Sequence, residues 1–210
     1  MTGLKQAMLA LTFFTLLLTG CSNVKTIPLS DTARQSVAQV VISPEVTVTP
    51  DVFYSGPAES AEFALGGLAG AVVGQAGQAD RVLIENTMKA SDIGVIFTKA
   101  FRQQLQASGA FTLAEREAAN TGVFRFEIRL YGLGQTQGFS HTLYPLLGVK
   151  GVLTDSEGQI LWQQYADITP LNAQNTLGYD IKDYLQDPAR VSEVFQHVST
   201  VISQRFLETL

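Results

Sequence analysis

The sequence contains two histidines, and they are the first residues to consider for catalysis. His141 follows Ser140, and such a pair could supply a nucleophile and a base for hydrolysis. The flanking residues lack the second glycine of the G-x-S-x-G turn that presents a catalytic serine. His197 lies beside Gln196 and near Ser199 in a segment of helical spacing, which indicates a solvent-facing position. Neither histidine stands at metal-ligand spacing, so we expect no metal site.

Carboxylates form two loose groups, one at Asp180, Asp183 and Asp187 and the other at Asp155 and Glu157. Paired carboxylates can serve acid–base catalysis or bind calcium. The first group lies in a loop that leads into a helix, and the second lies in a turn, so we interpret both as solvated residues. We therefore expect that the protein is not an enzyme. An envelope hydrolase that uses His141 or the acidic loop is the least favoured alternative.

The stretch 63–79, with the sequence FALGGLAGAVVGQAGQA, is the least ordinary part of the chain. It lacks the Lys-Ser or Lys-Thr ending of a phosphate-binding loop. Gly66, Gly70 and Gly74 recur every four residues, and in a helix they form a smooth stripe that permits close approach of another backbone. Three interpretations remain open. The stretch packs internally as a helix or flexible loop, contacts another copy or another envelope protein, or inserts into a bilayer.

The N-terminus carries an apolar run at 7–18, preceded by Lys5. Its length is typical of a signal peptide and is below the roughly 20 residues that a spanning helix needs. The run ends in the tetrapeptide Leu18-Thr19-Gly20-Cys21. This order of charge, apolar residues, small residues and cysteine resembles the lipobox of bacterial lipoproteins.

The lipobox resemblance implies cleavage before Cys21, which then carries a diacylglyceryl group and usually an N-acyl chain. Cys21 is the only cysteine, so no intramolecular disulfide can form. Several acyl chains anchor a protein stably in a membrane. Ser22 follows the cysteine, and the resemblance then implies the periplasmic face of the outer membrane in a Gram-negative cell. In a source that is not Gram-negative, the cell membrane is expected.

The composition limits the partners of the chain. A formal net charge of -5 and the absence of a basic stripe argue against nucleic acid. The covalent lipid on Cys21 is the only cofactor that we expect. The expected partners are the membrane, through that lipid, and an envelope protein or a second copy of the chain.

The chain divides into a cleaved signal peptide at 1–20, a lipidated N-terminus and flexible tether at 21–36, and one domain at 37–210 that includes 63–79. The tether has a maximum reach of about 50 Å. Strands are predicted at 37–48, where Pro44 requires a bulge or an edge, and at 111–114, 124–130, 146–154 and 159–168. Helices are predicted to start at Asp80, at Ser91 or Asp92 with Gly109 as stop, and at Asp187 with Pro188 as the first helical residue. These elements predict an α+β fold, with a single mostly antiparallel sheet of about five strands and two or three helices packed on one face.

Residues 92–168 resemble the transport-auxiliary lipoproteins and, more distantly, curli-secretion and TolB N-terminal domains. The resemblance is carried by Leu105 to Phe111 (LQASGAF), the strand from Phe124 to Leu130, and the hairpin from Leu153 to Trp162. It implies a non-enzymatic adaptor that binds envelope proteins or lipids. The predicted function is a lipid-anchored, non-catalytic binding, assembly or transport-accessory module of the envelope. The alternative is a membrane-active or self-oligomerising protein that uses the Gly-rich segment.

Overall fold

The computed structural model describes residues 24–37, 39–56, 67–118, 120–136 and 140–210, without the side chains of 67–76. Within these ranges the chain forms five helices and one mixed sheet. The helices are α1 Asp31–Ser36, α2 Gly67–Ala90, α3 Ile93–Ser108, α4 Ile181–Gln186 and α5 Ala189–Leu207. The strands are β1 Gln39–Val48, β2 Phe53–Ser55, β3 Thr112–Leu113, β4 Thr121–Gly134, β5 Thr142–Thr154, β6 Ile160–Ile168 and β7 Tyr179–Asp180.

The sheet follows the order β3-β1-β4-β5-β6, with β2 paired to the far half of β4 and β7 paired to β5. The predicted α+β class is confirmed, and β4, β5 and β6 form the expected antiparallel meander. The sheet is not wholly antiparallel, because β1 and β2 run parallel to β4. The helices α2 and α3 form the crossover that parallel pairing requires.

Strand β4 shows how the sequence pattern selects the core face. Phe124, Phe126 and Ile128 are buried, and they alternate with charged residues. The register shifts between Ile128 and Leu130, where a bulge interrupts the pairing with β5. Beyond this bulge Tyr131 is buried on the helix-covered face and packs against an aromatic ring of α5. The helices therefore cover one face of β4 along its length.

Aromatic rings join α3 and α5 to this face. Phe97 and Phe101 of α3 meet Phe126 edge to face, with centroid distances of 5.0 and 4.8 Å. Phe206 of α5 meets Trp162 of β6 at 5.2 Å in the same geometry. Each such pair adds about 0.5–1.5 kcal/mol beyond its area burial. The ring cluster fixes the two long helices on one face of the sheet.

The helix ends agree with the sequence signals at some positions and differ at others. Asp92 caps α3 by accepting a hydrogen bond from Val95 N at 3.2 Å, and Gly109 ends the helix at a φ of 63°. Asp187 accepts from the amide of Ala189 at 3.1 Å, and α5 starts one residue after Pro188. The predicted helix start at Asp80 is wrong, because Asp80 lies inside the continuous helix α2.

Candidate functional site

Some of the residues singled out from the sequence lie within the described parts of the chain, and others lie outside them. Cys21 and Gly66 lie outside them. Gly70 and Gly74 lie in the first half of α2, whose backbone is helical. The second half of α2 buries Ile84 and Met88 in the common core. None of the helices in the described ranges combines the length and apolarity needed to cross a membrane.

The segment that follows Cys21 pairs with the free edge of β6 through an isolated bridge at Ile27. The amide of Ile27 donates to Gln163 O at 2.7 Å, and the amide of Gln163 donates back to Ile27 O at 2.9 Å. The pairing is antiparallel, and Gln163 Nε2 also donates to Lys25 O at 2.8 Å. Because Ile27 exchanges both bonds with its partner, the backbone groups of its neighbours point away from β6. Pro28, which has no N–H, is compatible with this position.

Helix α1 continues this attachment at the C-terminal end of the chain. The guanidinium of Arg34 donates to Ala110 O at 3.3 Å and to Leu210 O, and it stacks 5.2 Å from the ring centroid of Phe111. The segment expected to act as a tether therefore makes contacts with the domain from Lys25 to Arg34. Only six residue steps separate Cys21 from the bridge at Ile27, and they reach at most about 20 Å.

The face of the sheet opposite α3 and α5 carries charged and polar side chains. This open face is defined by Arg125, Glu127 and Arg129 of β4, Lys150 of β5, and Tyr165 and Asp167 of β6. Glu127 lies opposite Lys150, and Lys150 lies opposite Tyr165. Arg129 Nη2 donates to Glu127 Oε2 at 2.9 Å. Charges of both signs therefore alternate across neighbouring strands and are half-buried or exposed.

Tyr165 occupies a particular place on the open face because Gly148 lies under it. A Cβ at position 148 would stand 2.3 Å from Tyr165 Oη, so a side chain there would displace the phenol. Burial raises the pKa of Tyr165, the charge of Asp167 raises it further, and the charge of Arg129 lowers it. Arg129 Nε is buried and has no hydrogen-bond partner among the described residues. At the centre of the open face, the Tyr165 phenol therefore lies close enough to the Asp167 carboxylate and the partly unsatisfied Arg129 guanidinium for their charges to act on it.

The open face ends in an apolar depression where β4 ends and β6 leads into a loop. This apolar hollow has a volume of about 410 Å³, and Phe53, Leu130, Leu146, Pro170 and Leu171 contribute its apolar lining. A Cβ at Gly134 would lie 3.3 to 3.6 Å from Phe53, Pro170 and Leu146, so this glycine forms the floor. Two of the lining side chains are unusually exposed, with Leu171 at 79% and Phe53 at 44%.

A second cleft, of about 470 Å³, contains residues that the hydrolase alternative would require. His141 and Asp180 line it together with Asp80 and Lys182. The carboxylate of Asp180 accepts a hydrogen bond from Thr142 Oγ1 at 3.0 Å and lies 3.8 Å from Lys182 Nζ. These contacts engage both carboxylate oxygens of Asp180. Within the described ranges, no group of three or more His, Cys, Asp or Glu residues could hold a metal ion.

Ser140, the nucleophile considered with His141, has a local structural role. Its hydroxyl oxygen accepts from the amide of Thr142 at 3.1 Å, which closes a turn before β5. The amide of Ile181 donates to His141 O at 3.3 Å, so the histidine backbone connects this turn to α4. The imidazole is exposed at the mouth of the cleft. His197 lies elsewhere, with Nε2 3.2 Å from Gln174 O.

No protein-family model and no curated protein matches this sequence. Among solved structures, a protein of Xanthomonas campestris described under the family name DUF330 is 12% identical, with a TM-score of 0.41 and coverage of 87% of each chain. A PelC variant dodecamer from Paraburkholderia phytofirmans is 13% identical, with a TM-score of 0.25 and coverage of 79% of this chain and 86% of that chain. A minor lipoprotein from Acinetobacter baumannii is 10% identical, with a TM-score of 0.29 and coverage of 81% and 91%. With TM-scores below 0.5 these likenesses assign no function to the chain, and the lipid anchor stays a prediction.

Sequence reasoning missed the apolar hollow and the bridge at Ile27. The hollow draws on β2, β4, β5 and the loop after β6, so only the topology brings its residues together. The bridge at Ile27 depends on backbone hydrogen bonds, which leave little trace in side-chain composition. Pro28, next to an isolated isoleucine, is compatible with edge pairing but does not predict it.

Proposed function

We propose that this protein is a lipid-anchored, non-catalytic binding module of the bacterial envelope, and that its open face docks another envelope protein. The observation that carries this proposal is the division of the sheet. The aromatic residues of α3 and α5 pack on one face, and the other face displays Arg125, Lys150 and Asp167 to the surroundings. The lipid on Cys21 confines this surface to a thin layer beside the membrane and so raises its effective concentration near membrane partners.

The charge pattern of the open face favours a folded protein as the partner. Both signs occur within one surface, and Glu127 lies between Arg125 and Arg129 along β4. Such a pattern fits a surface with complementary alternating charges, and like charges on a wrong partner would repel it.

The open face also offers an aromatic anchor of the kind found at binding interfaces. Tyr165 lies over Gly148 with part of its ring buried, so its position is restrained before a partner arrives. A restrained aromatic side chain loses little conformational entropy on binding. We expect the partner to cover Tyr165 and to place a polar group near its hydroxyl.

The anchor is tested by metabolic labelling of cells with a clickable fatty acid. We expect the fatty acid on the wild-type chain and none on a Cys21→Ser variant, with a shift of that variant from membrane to soluble fractions. An unlabelled wild-type chain would remove the anchor from the proposal.

The docking surface is tested by photo-crosslinking in intact cells. A benzophenone amino acid replaces Lys150 on the open face in one variant and Gln103 on the exposed side of α3 in the control. We expect the same adduct in repeated experiments from position 150 and none from position 103. Equal adducts from both positions, or no adduct from position 150, would contradict docking by the open face.

A further inference from the structure

We infer that the end of the domain that carries the apolar hollow rests on the bilayer surface, with Leu171 and Phe53 as its contact residues. This inference rests on the proposed lipid anchor and goes beyond it, because an anchor alone does not decide which side of the domain meets the membrane. The occupant of the hollow is then the apolar surface region of a lipid bilayer.

The course of the N-terminal segment supplies the first argument. Residues around Ile27 run antiparallel to β6, so each earlier residue lies beside a later position of β6. Gln163 Nε2 holds Lys25 O, which extends the contact in that direction. Towards Cys21 the chain therefore heads for the end of β6 at Ile168, which is followed by the hollow residues Pro170 and Leu171.

The length of the chain before the bridge supplies the second argument. From Ile27 to Cys21 the chain can extend by about 20 Å. The same number of residues along β6 leads from Gln163 to the first residue after the strand, at ~3.4 Å per residue. A lipid on Cys21 is thus tethered within reach of the hollow. The hairpin end of β6, near Ile160, lies in the opposite direction.

The surface chemistry of this end supplies the third argument. Leu171 is the most exposed large apolar side chain in the described part of the chain, and Phe53 stands on the same rim. Leu130 and Leu146 continue the apolar surface inward. Exposed apolar clusters next to a membrane anchor lose contact with water when they enter the interfacial region.

The test uses the chain from Cys21 to Leu210, because every residue of the core cluster lies at Leu29 or later. Its single cysteine is coupled to a maleimide lipid in phosphatidylcholine vesicles. One variant carries Leu171→Trp at the hollow, and the matched control carries Ile160→Trp at the hairpin end, where the native side chain is 48% exposed. The parent protein gives the background of the buried Trp162.

Vesicles with acyl chains brominated at shallow carbons should quench the added tryptophan of Leu171→Trp and leave that of Ile160→Trp at the parent level. Equal quenching of both variants would overturn the inference, because the domain would then have no preferred side. An unquenched but blue-shifted Leu171→Trp emission would also overturn it, because the chain's own lipid or the protein would fill the hollow. Chemical coupling supplies the lipid, so these failures are distinct from a failure of lipidation at Cys21 in cells.

Discussion

The bridge between Ile27 and Gln163 should set how far the domain can move from its anchor. Replacing Ile27 with proline removes the amide that donates to Gln163 O at 2.7 Å. Pro28 follows it, so the variant contains two consecutive prolines at the edge of β6. We expect the segment before α1 to leave the sheet in this variant.

The size of the effect follows from the contacts that are lost. Each exposed backbone hydrogen bond has a net value of about 0.5–1.5 kcal/mol, and the bridge consists of two such bonds. A loss of about 1–3 kcal/mol lowers the docked-to-free ratio of the segment by a factor of roughly 5 to 160. The next attachment is at Leu29, whose amide donates to Thr209 O at 3.3 Å and whose side chain packs on the core, so the reach from Cys21 grows from about 20 Å to about 27 Å. The core is untouched, and we expect the melting temperature to stay nearly constant.

Energy transfer from Trp162 offers a direct assay, because it is the only tryptophan and lies next to Gln163. With the chain coupled through Cys21 to vesicles that contain a dansyl headgroup lipid, transfer should fall clearly in Ile27→Pro. Amide exchange at Gln163 should quicken in the same variant.

The matched control is Thr26→Pro, because in the pairing of Ile27 the amide of Thr26 points away from β6. It should retain wild-type transfer and slow exchange at Gln163. Unchanged transfer in Ile27→Pro, or an equal loss in Thr26→Pro, would refute the role of the bridge.

Three further perturbations test other parts of the molecule. Burial raises the pKa of the Tyr184 phenol above 10.0, so the unfolded chain releases this proton first and the free energy of unfolding falls as pH rises above 10. In Tyr184→Phe, denaturant melts at increasing alkaline pH should show a fall that is shallower by up to ~1.4 kcal/mol per pH unit. The variant also loses, at every pH, the 3.0 Å hydrogen bond that the phenol donates to Leu143 O. Gly70→Leu should abolish any oligomer detected by light scattering if the glycine stripe contacts a second copy, and wild-type behaviour would leave the stripe as internal packing. Gly148→Ala should displace Tyr165 and weaken photo-crosslinking from the open face, while circular dichroism shows an intact fold.

Local patterns predicted much of the meander and the helix faces. Phe124, Phe126 and Ile128 alternate with charges over a distance short enough for the backbone period of two to hold, so the buried face could be assigned from sequence. Asp92 and Gly109 marked the ends of α3, because the cap and the left-handed stop are local chemistry. The same alternation places the charged residues of β4 on the opposite side, which is the open face.

The parallel pairing of β1 could not be predicted from its residues. Val40 and Ile42 have the β-branched character of a strand in either direction, and the direction is decided by the crossover through α2 and α3. The pairing of Ile27 was hidden for a related reason, since its energy lies in backbone groups common to all residues. The binding surfaces combine residues from distant segments, so their composition appears only after the strand order is known.

The parallel pair β1–β4 has a consequence for the order in which the chain can fold. Val40 pairs with Gly122, whereas Phe124 pairs with Leu153 in the antiparallel pair β4–β5, whose strands are much closer along the chain. Local hairpins form quickly, and contacts that close long loops form late. The edge of β4 that receives β1 therefore remains unsatisfied during the early part of folding and is open to wrong partners. In a chain that is synthesised N-terminus first, β1 also waits for its partner until β4 has emerged.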